Sequence, residues 1–311
     1  MQIIDCICFN NEIDLLEARV RYLSAIVDHF VVVESQETHS GLVKPLYSRQ
    51  FFESRLKDPT DKWIIDKLNF VVASPCDSKD PWVRERHQRD TSLNYCRDHF
   101  NDGILFVSDL DEIPSREALL HGRDLAQLNE GDSVVPVSMF LSLFKVNYVN
   151  VCGPESEWTG PFFTRLNSEV KSLSSIRRQC QRMDRRQIED ELRFSGWHFS
   201  YLGNSQFVRE KLQAFAHQEP EVQGASWDIE WLISQRRGPF DSRAPERYRW
   251  YVLSAESLRL PDDLIGNDYM RAHLLPDCDT FRELRMGLLA EPLEPNSLSQ
   301  RLSRLLEKII K

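Results

Sequence analysis

Two rhythms of apolar positions run through the first 120 residues. Ile3-Ile-Asp-Cys-Ile-Cys-Phe9, Phe30-Val-Val-Val-Glu34 and Asn69-Phe-Val-Val-Ala73 are short, nearly unbroken apolar runs that read as strands. Between them Leu16, Val20, Leu23 and Val27 recur at helical spacing after Asn10-Asn-Glu-Ile-Asp14. Arg49 to Leu56 and Pro81 to Phe100 read as further helices. Ile104-Leu-Phe-Val107 is a fourth apolar run, and helix-like Ser115-Arg-Glu-Ala-Leu-Leu120 follows it. Strands alternating with helices predict a parallel sheet with helices on its faces, so residues 1–120 read as a Rossmann-like nucleotide-binding half.

The pattern then changes. Ser133 to Asn150 is rich in Val, Phe, Leu and Tyr and predicts one long strand or two shorter ones; Trp158 to Arg165 predicts another. Lys171, Arg177, Arg178, Arg182, Arg185 and Arg186 form a basic stretch. Arginine suits phosphates and anionic sugars, and a solvated loop or helix carries the same residues. Ser195-Gly-Trp-His-Phe-Ser-Tyr-Leu202 reads as a buried strand and Gln206 to His217 as a helix. Leu302, Leu305, Leu306, Ile309 and Ile310 give Leu298–Ile310 an amphipathic face. It is expected to pack on the domain or on a partner subunit in an oligomer, with peripheral membrane contact as the alternative. The expected organisation is a single domain over 1–275, with halves 1–120 and 121–275, and a C-terminal helical extension over 276–311.

Composition narrows the class. The chain has 311 residues, 41% hydrophobic and 28% charged, ordinary for a globular protein with ample length for a core. A net charge of −9 argues against general nucleic-acid binding. Seven cysteines, an odd number without CxxC or metal-ligand spacing, point to reduced thiols in a cytoplasmic setting. No apolar run reaches membrane-spanning length, and a strand starting near residue 2 leaves no room for a signal peptide. Neither Gly-x-Gly-x-x-Gly nor a Walker-type Gly-Lys-Ser is present, which argues against dinucleotide cofactors and P-loop chemistry.

The candidate chemistry gathers where the Ile104 run ends, at Asp109, Asp111, Glu112 and Pro114. Ligands of open α/β sheets bind outside the carboxyl ends of the strands. On an extended backbone Asp109 and Asp111 point one way and Glu112 the other. Two aspartates side by side repel unless positive charge lies between them. A divalent cation carrying a nucleotide diphosphate supplies that charge. The plainer alternative seats the acids at the N-terminus of the next helix. Two histidines in the second half, His198 among aromatics and His217 beside Gln218 and Glu219, read either as further ligands or as a core ring and a helix-end cation.

Six stretches, in order, carry a resemblance. They are Phe9-Asn-Asn-Glu-Ile-Asp-Leu-Leu-Glu-Ala-Arg19, Val27-Asp-His-Phe-Val-Val-Val-Glu-Ser35, Thr38-His-Ser-Gly41 with Lys44-Pro-Leu46, Asp109-Leu-Asp-Glu-Ile-Pro114, Gly196-Trp-His-Phe-Ser200 and Phe215-Ala-His-Gln-Glu219. Together they resemble glycosyltransferase family 17, from residue 3 to about residue 240. The resemblance implies a GT-A-type Rossmann-like nucleotide-sugar transferase fold with a mixed central sheet. It also implies a UDP-sugar donor, N-acetylglucosamine as the sugar, Mn²⁺ or Mg²⁺, inversion, and a glycan acceptor. Without an anchor or secretory context the chain looks like a soluble, bacterial-type member.

In that frame Asp109 and Asp111 hold the metal, Asp111 directly, with Asp109 turned to the ribose or a metal-bound water. His198 and His217 are the candidates for a further ligand. Asn10, Glu34, Arg86 and Arg89 are expected on the nucleotide, Glu34 on the uracil imide or ribose. Inversion requires a base for the acceptor hydroxyl; Glu219 is favoured over Asp228, Glu230 and Glu112. A nucleotidyltransferase is the rival, although its opening loop would be rich in glycine and lysine. A noncatalytic nucleotide-sugar or glycan-binding module is the other.

Overall fold

The computed structural model describes residues 1–128, 134–225, 227–241 and 247–276. The C-terminal extension, with its amphipathic Leu298–Ile310 segment, lies outside the described residues apart from Pro276. Strands β1 (Ile3–Phe9), β2 (His29–Glu34), β3 (Leu68–Val72), β4 (Ile104–Asp109), β5 (Glu112–Pro114), β6 (Val135–Leu143), β7 (Tyr148–Asn150), β8 (Glu157–Arg165), β9 (Gly196–Ser200) and β10 (Trp250–Val252) join one mixed sheet. Its order is β10-β7-β6-β8-β4-β1-β2-β3, with β9 bridging β5 and β6. The helices are α1 (Ile13–Leu23), α2 (Ser48–Arg55), α3 (Lys62–Ile65), α4 (Pro81–His99), α5 (Arg116–Leu128), α6 (Leu173–Arg182), α7 (Ser205–Ala214), α8 (Pro220–Gln223), α9 (Ile229–Ser234), α10 (Asp262–Ile265) and α11 (Asp268–Ala272).

The strands of the parallel half and their direction are as the apolar runs predict, but β3, at the sheet edge, is only partly buried, with Val72 exposed. β1 to β4 run parallel, and Ile104 to Val107 are wholly buried. Alternate side chains serve two cores: Ile3, Ile7, Ile104 and Phe106 face one cluster with Leu16, Val20 and Leu119, whereas Ile4, Cys6, Leu105 and Val107 face another with Leu93 and Cys180. The sheet is therefore covered by α1 and α5 on one side and by α4 and α6 on the other. Each fully buried Phe or Leu in these layers contributes roughly 1.5–3 kcal/mol. α5 lies unusually close to the sheet, since a Cβ at Gly122 would come within 2.1 Å of the Phe163 ring.

Beyond β4 the pairing turns antiparallel through β8, β6, β7 and β10, apart from the parallel β6–β9 contact. The Ser133–Asn150 stretch becomes two strands because Phe144 takes the left-handed φ of 65° and turns the chain. Helix starts follow capping chemistry. Asp80 accepts from Trp82 N ahead of Pro81, Ser172 from Ser175 N, and Asn204 from Gln206 and Phe207 N. α7 stops at Ala214, short of the expected His217, because Phe215 is extended. No helix among the described residues is long and apolar enough to cross a membrane.

Candidate active site

The acidic turn after β4 is shaped by a buried arginine. Arg19 on α1 is wholly buried and forks onto Asp5 of β1, donating at 2.9 and 2.7 Å. Its remaining donors go to Ser108 Oγ and to the carbonyls of Asp109, Leu110 and Glu112 at 2.7–3.1 Å. A guanidinium has five N–H donors in a rigid fork, and here each nitrogen is used. The clamp bends the backbone at Leu110–Asp111, so the extended geometry expected for Asp109 and Asp111 does not hold. The two acids diverge to different partners.

Asp109 meets two arginines. Arg89 of α4 donates to its Oδ1 at 2.7 Å and Arg177 of α6 to its Oδ2 at 2.7 Å. Partial burial works to raise its pKa, and Arg177 and Arg89 overcome that and hold it well below the usual carboxylate range. Arg177 also forks onto Glu112 at 2.8 and 2.6 Å, while Glu112 accepts from Trp158 Nε1 and Asp109 N. The basic stretch thus contributes a buried arginine, 3% exposed, rather than a solvated one.

Asp111 meets a lysine and a histidine. Lys211 Nζ of α7 lies 2.8 Å from its Oδ2 and 3.3 Å from Glu12 Oε1. Burial opposes the lysine's charge; Asp111 and Glu12 outweigh it and hold the ammonium protonated far above the ordinary range. Burial likewise raises Asp111, and Lys211 and then His198 bring it below its ordinary value. His198 Nε2 stands 3.7 Å from Asp111 Oδ1, its ring packs 4.3 Å from Trp158, and its buried Nδ1 has no hydrogen-bond partner.

Glu12, Arg89, Asp109, Asp111, Arg177, His198 and Lys211 form the floor of a cleft of about 840 Å³ at the carboxyl ends of β1 and β4, with Glu112 buried beneath it. Its lining also includes Asn10, Thr38, His39, Trp82 and Gln88, together with the aromatic residues Tyr201, Phe240, Tyr248 and Trp250. Gln88 donates to the carbonyls of Phe9 and Val33 at 2.9 and 2.7 Å, which turns its Oε1 toward His39 Nε2 at 2.8 Å and fixes the ring proton there. A family model for glycosyltransferase family 17 matches residues 1–228. The chain belongs to glycosyltransferase family 17. The β-1,4-mannosyl-glycoprotein 4-β-N-acetylglucosaminyltransferases of Rattus norvegicus and Homo sapiens are each 31% identical to it over 126 residues, 38% of this chain and 23% of theirs. The chain thus matches less than a quarter of the length of those relatives. Among solved structures, the inositol-1-phosphate CTP transferase from T. maritima covers 64% of this chain and 85% of its own, at 12% identity and a TM-score of 0.30, too low for any inference.

The family 17 cleft keeps some of the expected residues and dismisses others. Asn10, Arg89, Asp109, Asp111, His198, His217 and Glu219 all line it. Glu34 does not. It is buried under Lys44 Nζ, Tyr47 N, Ser48 N and Ser48 Oγ at 2.5–2.9 Å, and so fastens the turn before α2 instead of reaching a nucleotide. Arg86 is absent from the cleft wall; its nearest carboxylate is Asp80, 4.0 Å away at the start of α4. Asp228 caps α9 through Trp231 N, and it and exposed Glu230 lie off the cleft. Glu112 is wholly buried and accepts four hydrogen bonds, which leaves no lone pair for an acceptor hydroxyl. Half-exposed His217 pairs with Glu219 at 3.2 Å and packs against Trp82. Among the described residues no three His, Cys, Asp or Glu side chains form a metal cluster by themselves.

The residues missed from sequence are cations. Arg19 stands in the buried stripe of α1, three positions after Leu16 and four before Leu23, and a charge inside an apolar stripe is the signal that could have found it. Lys211 carries no comparable mark, because its partners Asp111 and Glu12 are supplied by distant turns.

Proposed function

We propose that this chain transfers N-acetylglucosamine from a UDP-sugar to a glycan hydroxyl with inversion, on a GT-A-type fold. A cytoplasmic setting, read from the odd and unclustered cysteines of the sequence, belongs to the same proposal. The observation that carries the proposal is the cleft floor: an acid pair at the carboxyl end of β4, matched by buried cations from three helices. The parallel β3-β2-β1-β4 half continued by antiparallel β8 supports the GT-A reading. N-acetylglucosamine and the glycan acceptor come from the printed names of the mammalian relatives.

Charge supports a divalent cation, Mn²⁺ or Mg²⁺. Glu12, Glu85, Asp109, Asp111 and Glu112 around the floor outnumber Arg89, Arg177 and Lys211, so a diphosphate needs further positive charge to settle there. The residues fit such an ion at one place. Asp111 Oδ1 and His198 Nε2 face each other at 3.7 Å, a hard oxygen and an imidazole suited to Mn²⁺. Asp109 has both oxygens engaged by guanidinium groups and His217 is held by Glu219, so Asp111 and His198 would hold the ion with donor oxygens completing its shell. When bound, the ion offsets negative charge on the leaving diphosphate. Arg177 and Lys211 bring fixed positive charge to the same oxygens, preorganised by their carboxylates. Glu219, 42% exposed and paired with His217 through Oε2, would take the proton of the acceptor hydroxyl on its other oxygen.

The test is a panel of nucleotide sugars read by nucleotide and pyrophosphate release, with Mn²⁺ and with EDTA. UDP release from UDP-N-acetylglucosamine should exceed release from UDP-glucose and GDP-mannose and collapse in EDTA. Asp111→Asn should lower that rate by about 10²-fold or more while the melting temperature holds. Pyrophosphate as the product would sink the proposal in favour of a nucleotidyltransferase. UDP and Mn²⁺ binding without turnover of any donor would favour a noncatalytic module.

A further inference from the structure

The wall formed by Phe240, Asp241, Tyr248 and Trp250 is built differently from the floor. Asp241 lies there half-buried, with each carboxylate oxygen fixed by one neutral N–H: Gly238 N donates to Oδ2 at 2.7 Å and Trp250 Nε1 to Oδ1 at 3.0 Å. Gly238 permits this close approach, since a Cβ there would come within 2.9 Å of both Asp241 Oδ1 and Trp250 Nε1. Trp250 is the middle of a stack of three rings. Tyr148 lies 5.4 Å from it, fully buried, and Tyr248 lies 6.0 Å from it with the two ring planes nearly parallel at 4°. Tyr248 lines the cleft, as does Phe240.

We propose that this wall is the acceptor subsite, taking one neutral pyranose ring whose apolar face lies on Tyr248 and Phe240 and whose hydroxyl donates to Asp241. The inference rests on the glycosyl-transfer reading above and specifies where its second substrate sits. The chemistry selects the occupant. A carboxylate held by N–H groups keeps lone pairs directed outward and accepts from hydroxyls. The same carboxylate repels phosphates; Arg237 offsets only part of its charge, and Arg247 in the lining is paired with Glu155 at 3.1 Å, so the wall favours a neutral occupant over the diphosphate. Aromatic rings give a sugar's C–H face apolar area to cover. Burial also pushes the Asp241 carboxyl above its ordinary range, against the pull of its two N–H donors, which strengthens it as an acceptor.

The test measures binding separately for each substrate in the full chain. Saturation-transfer NMR with UDP and diamagnetic Mg²⁺ present would follow the methyl β-pyranosides of glucose, galactose and mannose, and calorimetry would follow UDP alone. Wild type should bind at least one pyranoside. Asp241→Asn and Tyr248→Ala should each weaken it by about tenfold, the loss expected for one good polar contact or one ring face, with UDP affinity unchanged. The subsite is overturned if UDP binds and no pyranoside does. It is equally overturned if both variants bind the pyranoside like wild type, or if either variant loses UDP as well. Pyranoside binding that is lost in the variants of a chain that never binds UDP would keep the subsite and remove the donor assignment. A melting curve on each variant checks folding; should Asp241→Asn fail to fold, Tyr248→Ala decides.

Discussion

At the scale of single residues, Arg19 links the fold to the cleft. It neutralises Asp5 in the core and holds three carbonyls of the turn that carries Asp109 and Asp111. Removing one partner of a buried pair leaves the other charged and unpaired, which costs about 3–5 kcal/mol. Arg19→Met is therefore expected to lower the unfolding free energy by about that amount in urea titrations, and Arg19→Lys to recover little, since an ammonium lacks the fork. A loss below about 1 kcal/mol would show that the clamp is dispensable. The acids at this turn were legible in the sequence because three of them follow one apolar run directly, at the strand end where ligands of such sheets bind. Their cations were not. Arg177 is 68 residues from Asp109 and Lys211 is 100 from Asp111, and local spacing says nothing about which helix returns to which turn. Glu34 failed as a nucleotide contact for the same reason, since Lys44 and Ser48 claim it from a loop whose path the sequence does not show.

Among the elements, β1, β4 and the long helix α4 could be drawn from the sequence to within two residues, because burial on both faces and a capped, Pro-led start leave strong local marks. β5 was missed. Three residues paired only with β9 have no periodicity to read. The β6–β7 break turns on one backbone angle at Phe144, a residue type that gives no warning of it. α5 shows packing overruling propensity. Gly→Ala inside a helix ordinarily gains about 1 kcal/mol. At Gly122 the added methyl would meet Phe163 at 2.1 Å, and overpacking of that kind costs roughly 1–3 kcal/mol. Gly122→Ala should therefore destabilise the protein, with a lower denaturant midpoint; a rise would mean that the Phe163 ring yields freely.

For the whole molecule, pH is the revealing variable. His29, His39 and His273 sit on an inner strand, in the cleft wall and in the C-terminal region, and burial is the first cause holding each below its ordinary value. The folded chain therefore refuses protons that the unfolded chain accepts. The stability this represents is fully present above the ordinary histidine pKa of about 6.5 and is lost as pH falls through the folded values. The urea midpoint should drop between pH 7.5 and pH 5.5, and His39→Gln should shrink the drop. An unchanged midpoint over that range would contradict the assignment. The parallel half was legible at this scale because strand and helix alternate. The antiparallel half was not, since its strands find their order through contacts far apart in the chain, as β6 finds β9 and β7 finds β10.

Lys211 has one more consequence. Its ammonium already occupies Asp111 and Glu12, and it is joined to the polypeptide by its own side chain. A competitor fixed in this way has an effective concentration that dialysis and chelators leave untouched. Any free cation bound for Asp111 must outbid a rival that never diffuses away. Selectivity at that carboxylate is then set by what arrives alongside the cation, and a cation escorted by a polyanion able to re-house the lysine holds an advantage that the bare ion lacks.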